Sequence, residues 1–361
     1  MGSDQINNPL EPLAMNGGDG RYSYSQNSTV QKRGIECVKD LITEGIVQKL
    51  DTQRFLSPIS QKKIFIADLG CAMGPNTFIA VQNIIDSVKQ RFQSDGIDSG
   101  STEFHVFFND HVVNDFNTLF ISMPSDKEYF AAGVPGSFQN RLFPKASLDV
   151  IHSSYSLQWL SKLPNELTDK QSPAWNKGKV YYPTSAKAVV EAYRGQFRKD
   201  MESFLSCRAL EIVSGGLMAL LIPSVPDPHC KCVITSVFDL LGSALMDLAG
   251  QGLVDEDKVD NFNLPIYIPT PDEIVSLIEN NGDFIIEKMD PLLAHQVTDP
   301  DTMAMHLRAG MESNIRENFG AEIVEQVFDK FKEKIAESKV LIDPIYKRTY
   351  GLFVLLKRKP Y

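Results

Sequence analysis

Apolar positions along the chain follow two different periods. Short apolar runs at 64–67, 104–108, 148–151, 217–222, 284–289 and 351–356 have the length and β-branched or aromatic content of strands. Between them, Ile35, Val38, Leu41, Ile42, Ile46 and Leu50 recur at helical spacing, and so do Phe78, Val81, Ile84, Ile85 and Val88. Further helices are predicted at 186–212, stopped by Gly215-Gly216, and at 233–248, apolar on most sides as in a cap. Thr270-Pro271-Asp272-Glu273 opens a short helix as N-cap, N1 proline and acidic first turn, and 302–337 holds two more. Strands alternating with helices predict an α/β fold. Gly133-Val134-Pro135-Gly136-Ser137-Phe138 reads as a turn-rich loop. The polar insertion 165–185 is too long for a plain connection and is expected to cover a site or an interface. Residues 1–15 are expected to be a flexible terminus, and Asn16-Gly17-Gly18-Asp19-Gly20 a loop feeding the first helix.

Charge narrows the partners. With 36 basic and 46 acidic side chains the net charge is −10, opposite to what a nucleic-acid backbone binder needs. Five scattered cysteines fit reduced thiols in the cytoplasm better than a disulfide framework. The N-terminus has no apolar signal core, and no run of about 18 apolar residues suggests a membrane span.

The densest chemistry lies at 64–76, where the strand Ile64–Ala67 stops at Asp68 before Gly70, Gly74 and the helix-starting Pro75-Asn76. Such a turn brings backbone N–H groups close to a ligand. Asp110, ending the second strand, is placed to accept from ribose hydroxyls. A dinucleotide fold puts that acid about 20 residues after the glycines and needs a third glycine, so NAD is disfavoured. Tyr24, Ser28 and Gln31 read either as polar capping of the first long helix or as part of a site. Trp159 and Tyr155 read either as core aromatics or as ligand walls at a strand's carboxyl end. Oxygen donors at Asp260-Asn261-Phe262-Asn263 suit either a hard cation or simple Asx turns. His229-Cys230-Lys231-Cys232 has no second Cys/His pair and reads as a surface loop. Nucleophile-elbow, Walker and H-E-x-x-H motifs are missing from the sequence.

Six motifs occur together and in order: M-N-G-G-D-G-x-x-S-Y-x-x-N-S-x-x-Q at 15–31, A-D-L-G-C-x-x-G-P-N at 67–76, F-F-N-D-H-x-x-N-D-F-N at 107–117, G-V-P-G-S-F at 133–138, S-S-Y-S-L-Q-W-L-S at 153–161 and D-x-F-N-L-P at 260–265. The set resembles the plant salicylic acid, benzoic acid and theobromine methyltransferases. The resemblance implies a class I methyltransferase from residue 16 to 361, with a mostly parallel seven-stranded Rossmann-like sheet and a helical cap drawn mainly from 165–195, 225–280 and 300–340. It implies S-adenosylmethionine as cofactor, held by residues matching Tyr24, Cys71, Asn76, Asp110, His111, Ser137 and Phe138, with Ser28 and Asp68 from the same motifs added. Gln31 and Trp159 match the residues that bond a substrate carboxylate. Tyr155, Gln158, Val237, Phe238 and Leu307 match the pocket walls. Mg²⁺ at Asn176, Asp260, Phe262 and Asn263 and a homodimer are implied in the same way. Gln158 and Leu307 depart from the salicylate pattern, and the run at 107–117 resembles the branch acting on loganate and other terpenoid acids. A small-molecule carboxylic acid is therefore the expected substrate. The alternatives are N-methylation of a xanthine alkaloid and a non-catalytic ligand-binding protein.

Overall fold

The computed structural model describes residues 14–56, 62–227, 232–293, 297–346 and 350–360. Seven strands form one sheet: β1 (Lys63–Leu69), β2 (Glu103–Asp110), β3 (Phe130–Pro135), β4 (Leu148–Ser154), β5 (Ile212–Ser224), β6 (Phe284–Leu293) and β7 (Tyr350–Arg358). Their order is β3-β2-β1-β4-β5-β7-β6, and only the pairings made by β7 are antiparallel. The helices are α1 (Tyr24–Asn27), α2 (Thr29–Lys49), α3 (Pro75–Ser94), α4 (Phe116–Ile121), α5 (Lys187–Glu211), α6 (Val233–Gly250), α7 (Glu256–Asn261), α8 (Pro271–Asn281), α9 (Pro300–Phe319) and α10 (Val324–Ser338).

The apolar periods account for two core layers. On one sheet face Val38, Ile42 and Ile46 of α2 and Val81, Ile84 and Val88 of α3 bury against Ile64, Ile66 and Val106. The other face packs α5 through Phe197, Met201 and Leu205, and the same core continues into α6, α9 and α10. The cap therefore sits above the carboxyl ends of the parallel strands. Strand order reverses between β1 and β4, the place where open α/β sheets leave a crevice for ligands.

Helix α8 starts as its sequence dictates. The Thr270 hydroxyl accepts from the Glu273 backbone N–H while the Glu273 carboxylate accepts from Thr270 N–H, with Pro271 at N1. Replacing Thr270 with alanine is expected to lower the unfolding free energy by about 1 kcal/mol, measured by urea denaturation, with little change in turnover.

Several sequence expectations are corrected. The supposed loop at 133–138 begins inside β3, an edge strand paired to β2 from Phe130 to Pro135. Most β3 side chains are exposed, so it lacks the alternation of a half-buried strand. The helix ending near 212 passes directly into β5, and Gly215-Gly216 lie within that strand rather than after a helix stop. Gly215 takes φ +76° beside a register shift in the β4/β5 ladder, which only glycine adopts cheaply. Helix α6 is long and apolar enough to cross a membrane by length and composition, contrary to the expectation that no such stretch exists; it packs instead against α7 and α10, with Val237, Leu241 and Leu245 in the core. Cys37, Cys71 and Cys207 are free thiols, whereas Cys232 is disulfide-bonded, so the expectation of five reduced thiols fails there. Most of the motif His229-Cys230-Lys231-Cys232 lies outside the described residues, as do residues 1–13.

Candidate active site

A cavity of about 260 Å³ opens at the carboxyl ends of the parallel strands. Of the predicted residues, Tyr24 and Gln31 reach it from α1 and α2, and Asp110, His111 and Phe138 from the ends of β2 and β3. Tyr155, Gln158 and Trp159 line it from the segment after β4, and Phe238 and Leu307 from α6 and α9. Ala14 and Met15, expected to be part of the flexible terminus, line it as well. The insertion 165–185 contributes nothing to its wall; Tyr181 and Tyr182 bury it in the cap core instead.

The turn after β1 is tied down from several sides. Gly70 N–H and Cys71 N–H donate to the Asn109 carbonyl at 2.9 and 3.0 Å. Ala72 N–H donates to Asp110 Oδ2 at 2.8 Å, and the Ala72 carbonyl accepts from Asn114 Nδ2 at 3.0 Å. These bonds hold Gly70 at φ +79° and Ala72 at φ +49°; for a residue with a side chain that is a strained conformation, kept only when surroundings enforce it. A Cβ on Gly70 would lie 2.1 Å from Ser156 Oγ, so the turn and the segment after β4 pack with no room to spare.

Asp110 is the electrostatic centre of this end. Its Oδ1 accepts from His111 N–H at 2.7 Å, leaving each carboxylate oxygen with a free lone pair. Burial raises the pKa of its carboxyl, and the N–H bonds from Ala72 and His111 oppose that rise. Tyr24 faces the same region, and burial, with Asp110 nearby, pushes its phenol well above the usual value, so it stays neutral. An acid ending β2 beside a tight backbone turn is the set of acceptors and donors a nucleoside cofactor requires, and these residues fit one.

Other motif residues act at one remove from the cavity. Asn76 Nδ2 donates to the carbonyl and hydroxyl oxygens of Ser28 at 3.1 and 3.0 Å, joining the start of α3 to the start of α2. Asp68 is buried between Thr77, whose hydroxyl donates to Oδ2, and His152 Nδ1 at 2.7 Å from Oδ1. Cys71 Sγ donates to the Ala72 carbonyl, and Ser137 Oγ to Gln139. Val237 is in the core behind Phe238. Thus Ser28, Asp68, Cys71, Asn76, Ser137 and Val237 do not line the cavity; the first five brace the segments that do.

At the other end, Gln31 Oε1 is buried without a partner, and neither Gln31 Nε2 nor Trp159 Nε1 bonds another described residue. Two free N–H donors therefore border a mainly apolar chamber, walled by side chains such as Ile234, Phe238, Ile266 and Leu307, with Arg33, Gln158 and His306 among its polar residues. Tyr155 sits at φ +54°, and a Cβ on Gly34 of α2 would lie 2.1 Å from its hydroxyl, so Gly34 makes room for the ring. The segment 14–28 straps over this chamber. Asn16 N–H donates to the Ala309 carbonyl, Gly18 N–H to Asp115 Oδ2, and the Arg308 guanidinium lies 3.5 Å from the Tyr22 ring centroid. Gly34 and His306 were not singled out by sequence, and Asn114 stood there only as a fixed position of the 107–117 motif with no role given; an isolated glycine inside a helical pattern was the one signal available for Gly34.

Asn176, Asp260 and Asn263 do meet, in the cap. Asn176 Nδ2 donates to Asn263 Oδ1 at 2.7 Å, Ser185 Oγ to Asn176 Oδ1 at 2.6 Å, and Gly178 N–H to Asp260 Oδ1 at 2.7 Å. With one carboxylate, and with three of the side-chain oxygens already accepting from neighbours, the set does not fit a divalent cation that wants six oxygens. Among the described residues no group of three or more His, Cys, Asp or Glu side chains converges on a metal-sized space. These residues knit the cap, with Phe262 buried beside them.

Comparison with known proteins adds the chemistry. Residues 11–359 match the family model described as SAM dependent carboxyl methyltransferase. The chain is 43% identical to loganic acid O-methyltransferase of Catharanthus roseus over 99% of its own length and 98% of that protein's. It is 41% identical to farnesoic acid carboxyl-O-methyltransferase of Arabidopsis thaliana over 90% of this chain and 93% of that one. A solved structure of loganic acid methyltransferase with SAH superimposes with a TM-score of 0.91 at 43% identity, covering 96% of this chain and 99% of the other.

Proposed function

This chain belongs to the S-adenosylmethionine-dependent carboxyl methyltransferase family, and on that footing we propose that it forms the methyl ester of a terpenoid carboxylic acid of the loganate type. The observation that carries the reading is a pair of unpartnered N–H donors, Gln31 Nε2 and Trp159 Nε1, on a mainly apolar cavity that also contains the Asp110 carboxylate. Farnesoate-type acids are the other terpenoid class among the relatives.

Bound S-adenosylmethionine supplies an electrophilic methyl group on a sulfonium sulfur. The chain's residues bind and orient. A carboxylic acid of pKa near 4 is ionised at pH 7, so no side chain has to remove a proton. Gln31 and Trp159 hold the carboxylate, and the strap of residues 14–28 with the walls of Phe238 and Leu307 excludes water. Asp110 and Tyr24 hold the nucleoside end. Orientation of this kind accounts for roughly 7–11 kcal/mol of a barrier in intramolecular reactions, which explains why no nucleophile or base motif is needed.

The same proposal includes a cytosolic homodimer. Support for the dimer comes from the exposed apolar residues Val112, Val113, Ile121 and Phe130 around the β3 edge, and for the compartment from the free thiols of Cys37, Cys71 and Cys207.

Incubating the protein with methyl-labelled S-adenosylmethionine and a panel of terpenoid, aromatic, fatty and xanthine compounds tests the assignment. Label is expected in the methyl ester of a terpenoid acid. Label in xanthines and in no acid would replace the reading with N-methylation.

A further inference from the structure

His306 stands on α9 among the apolar residues Met303, Leu307 and Met311 that line the cavity. Nothing in carboxylate alkylation as derived above uses it. Its Nδ1 lies 3.1 Å from the Asn27 carbonyl oxygen. A carbonyl can only accept, so Nδ1 carries the proton. Burial lowers the imidazole's pKa from its usual value, with the Asn27 bond opposing, so the ring is neutral at pH 7. In that tautomer Nε2 is a lone-pair acceptor, and it has no partner among the described residues.

A second acceptor is fixed in the same way after β4. Gln158 Nε2 donates to the Tyr155 carbonyl at 2.7 Å, which sets the amide's orientation, and Oε1 is then a buried acceptor with no partner. The Tyr155 carbonyl is itself constrained by the left-handed backbone of that residue. The cavity wall thus carries an acceptor, His306 Nε2, whose tautomer the protein fixes and which no described residue pairs, and a second unpaired acceptor, Gln158 Oε1, is buried in the same wall. Carboxylates and hydrocarbon chains bring no donor to them. Such groups go unmatched unless the ligand brings an O–H.

We infer that His306 Nε2 accepts a hydrogen bond from a hydroxyl group on the body of the substrate, so that the enzyme selects a hydroxylated carboxylic acid over a purely hydrocarbon one. This rests on the carboxyl-methylation reading and refines it: of the two acids methylated by the named relatives, loganic acid is hydroxylated and farnesoic acid is not.

The test is the ratio of kcat/KM for loganic acid to that for farnesoic acid, in the wild type, His306→Leu and His306→Gln. The wild type is expected to favour loganic acid. His306→Leu should lower the ratio by about tenfold, mainly through the KM for loganic acid, as loss of one hydrogen bond requires. His306→Gln, which can present an amide oxygen, should recover most of it. Affinity for S-adenosylmethionine, read by calorimetry, should stay within about threefold in both variants. A wild-type preference for farnesoic acid overturns the inference. So does a ratio unchanged in His306→Leu, or an equal loss for both acids together with lost cofactor affinity, which would mark His306 as only a clamp between Asn27 and α9. Turnover of no acid at all would instead remove the carboxyl-methylation reading beneath it.

Discussion

Replacing Trp159 with alanine is expected to lower kcat/KM for the acid by roughly 100-fold while leaving the affinity for S-adenosylmethionine within about threefold. The indole N–H is one of the two unpartnered donors bordering the apolar chamber, and its ring is partly buried against the cap core. A hydrogen bond to a charged acceptor contributes about 1.5–3 kcal/mol. Losing it also frees the carboxylate to rotate away from its productive direction, a loss paid in kcat. Trp159→Phe separates the two contributions. It keeps most of the apolar area and removes the donor, so about tenfold of the loss should remain. Steady-state kinetics with the preferred acid, alongside calorimetric titration of the cofactor, measures both.

The second large effect falls on the opposite ligand. Asp110→Ala is expected to weaken S-adenosylmethionine binding by roughly 100-fold, with a smaller change in the KM for the acid. Two losses combine. The carboxylate's free lone pairs at the end of β2 disappear, and Ala72 N–H and His111 N–H lose their acceptor, so the strained turn at Gly70–Ala72 loosens. Asp110→Asn retains one oxygen acceptor and should lose less. Equal losses for acid and cofactor in both Trp159→Ala and Asp110→Ala would contradict the separate roles given to these residues.

Strands buried on both faces were legible in the sequence where their centre is a continuous apolar run, although β4, equally buried, also carries Asp149, His152 and Ser153. Ile64–Ala67 and Leu217–Ile222 are found inside β1 and β5. Edge strand β3 was not legible, since side chains facing water on both sides leave no alternation to detect. The passage from α5 into β5 was misread for a different reason. Glycines usually punctuate a helix end, but here Ile212 closes the helix and opens the strand, and Gly215-Gly216 serve a bulge.

Within the site, spacing and residue type located the cavity wall better than they separated touching from bracing. Asp110 is the last residue of β2 and lines the cavity, whereas Asp68, equally prominent in its motif, is sealed between Thr77 and His152. A motif marks both kinds of residue alike, because a turn that holds a ligand needs its buried struts as much as its contacts. His306 carries no sequence signal at all. A lone histidine in an apolar helical face has the same pattern whether its free nitrogen meets protein or ligand, and only the Asn27 carbonyl on its other side assigns the proton.

The most direct measurement is a crystal structure of the protein with S-adenosylhomocysteine and its preferred acid bound together. Both ligands should share the one cavity, with the acid's carboxylate within about 3 Å of Gln31 Nε2 and Trp159 Nε1 and one of its oxygens turned toward the cofactor's sulfur. A carboxylate bound away from these two donors, or an acid and a cofactor in separate cavities, would contradict alignment by this pair as the source of the chemistry.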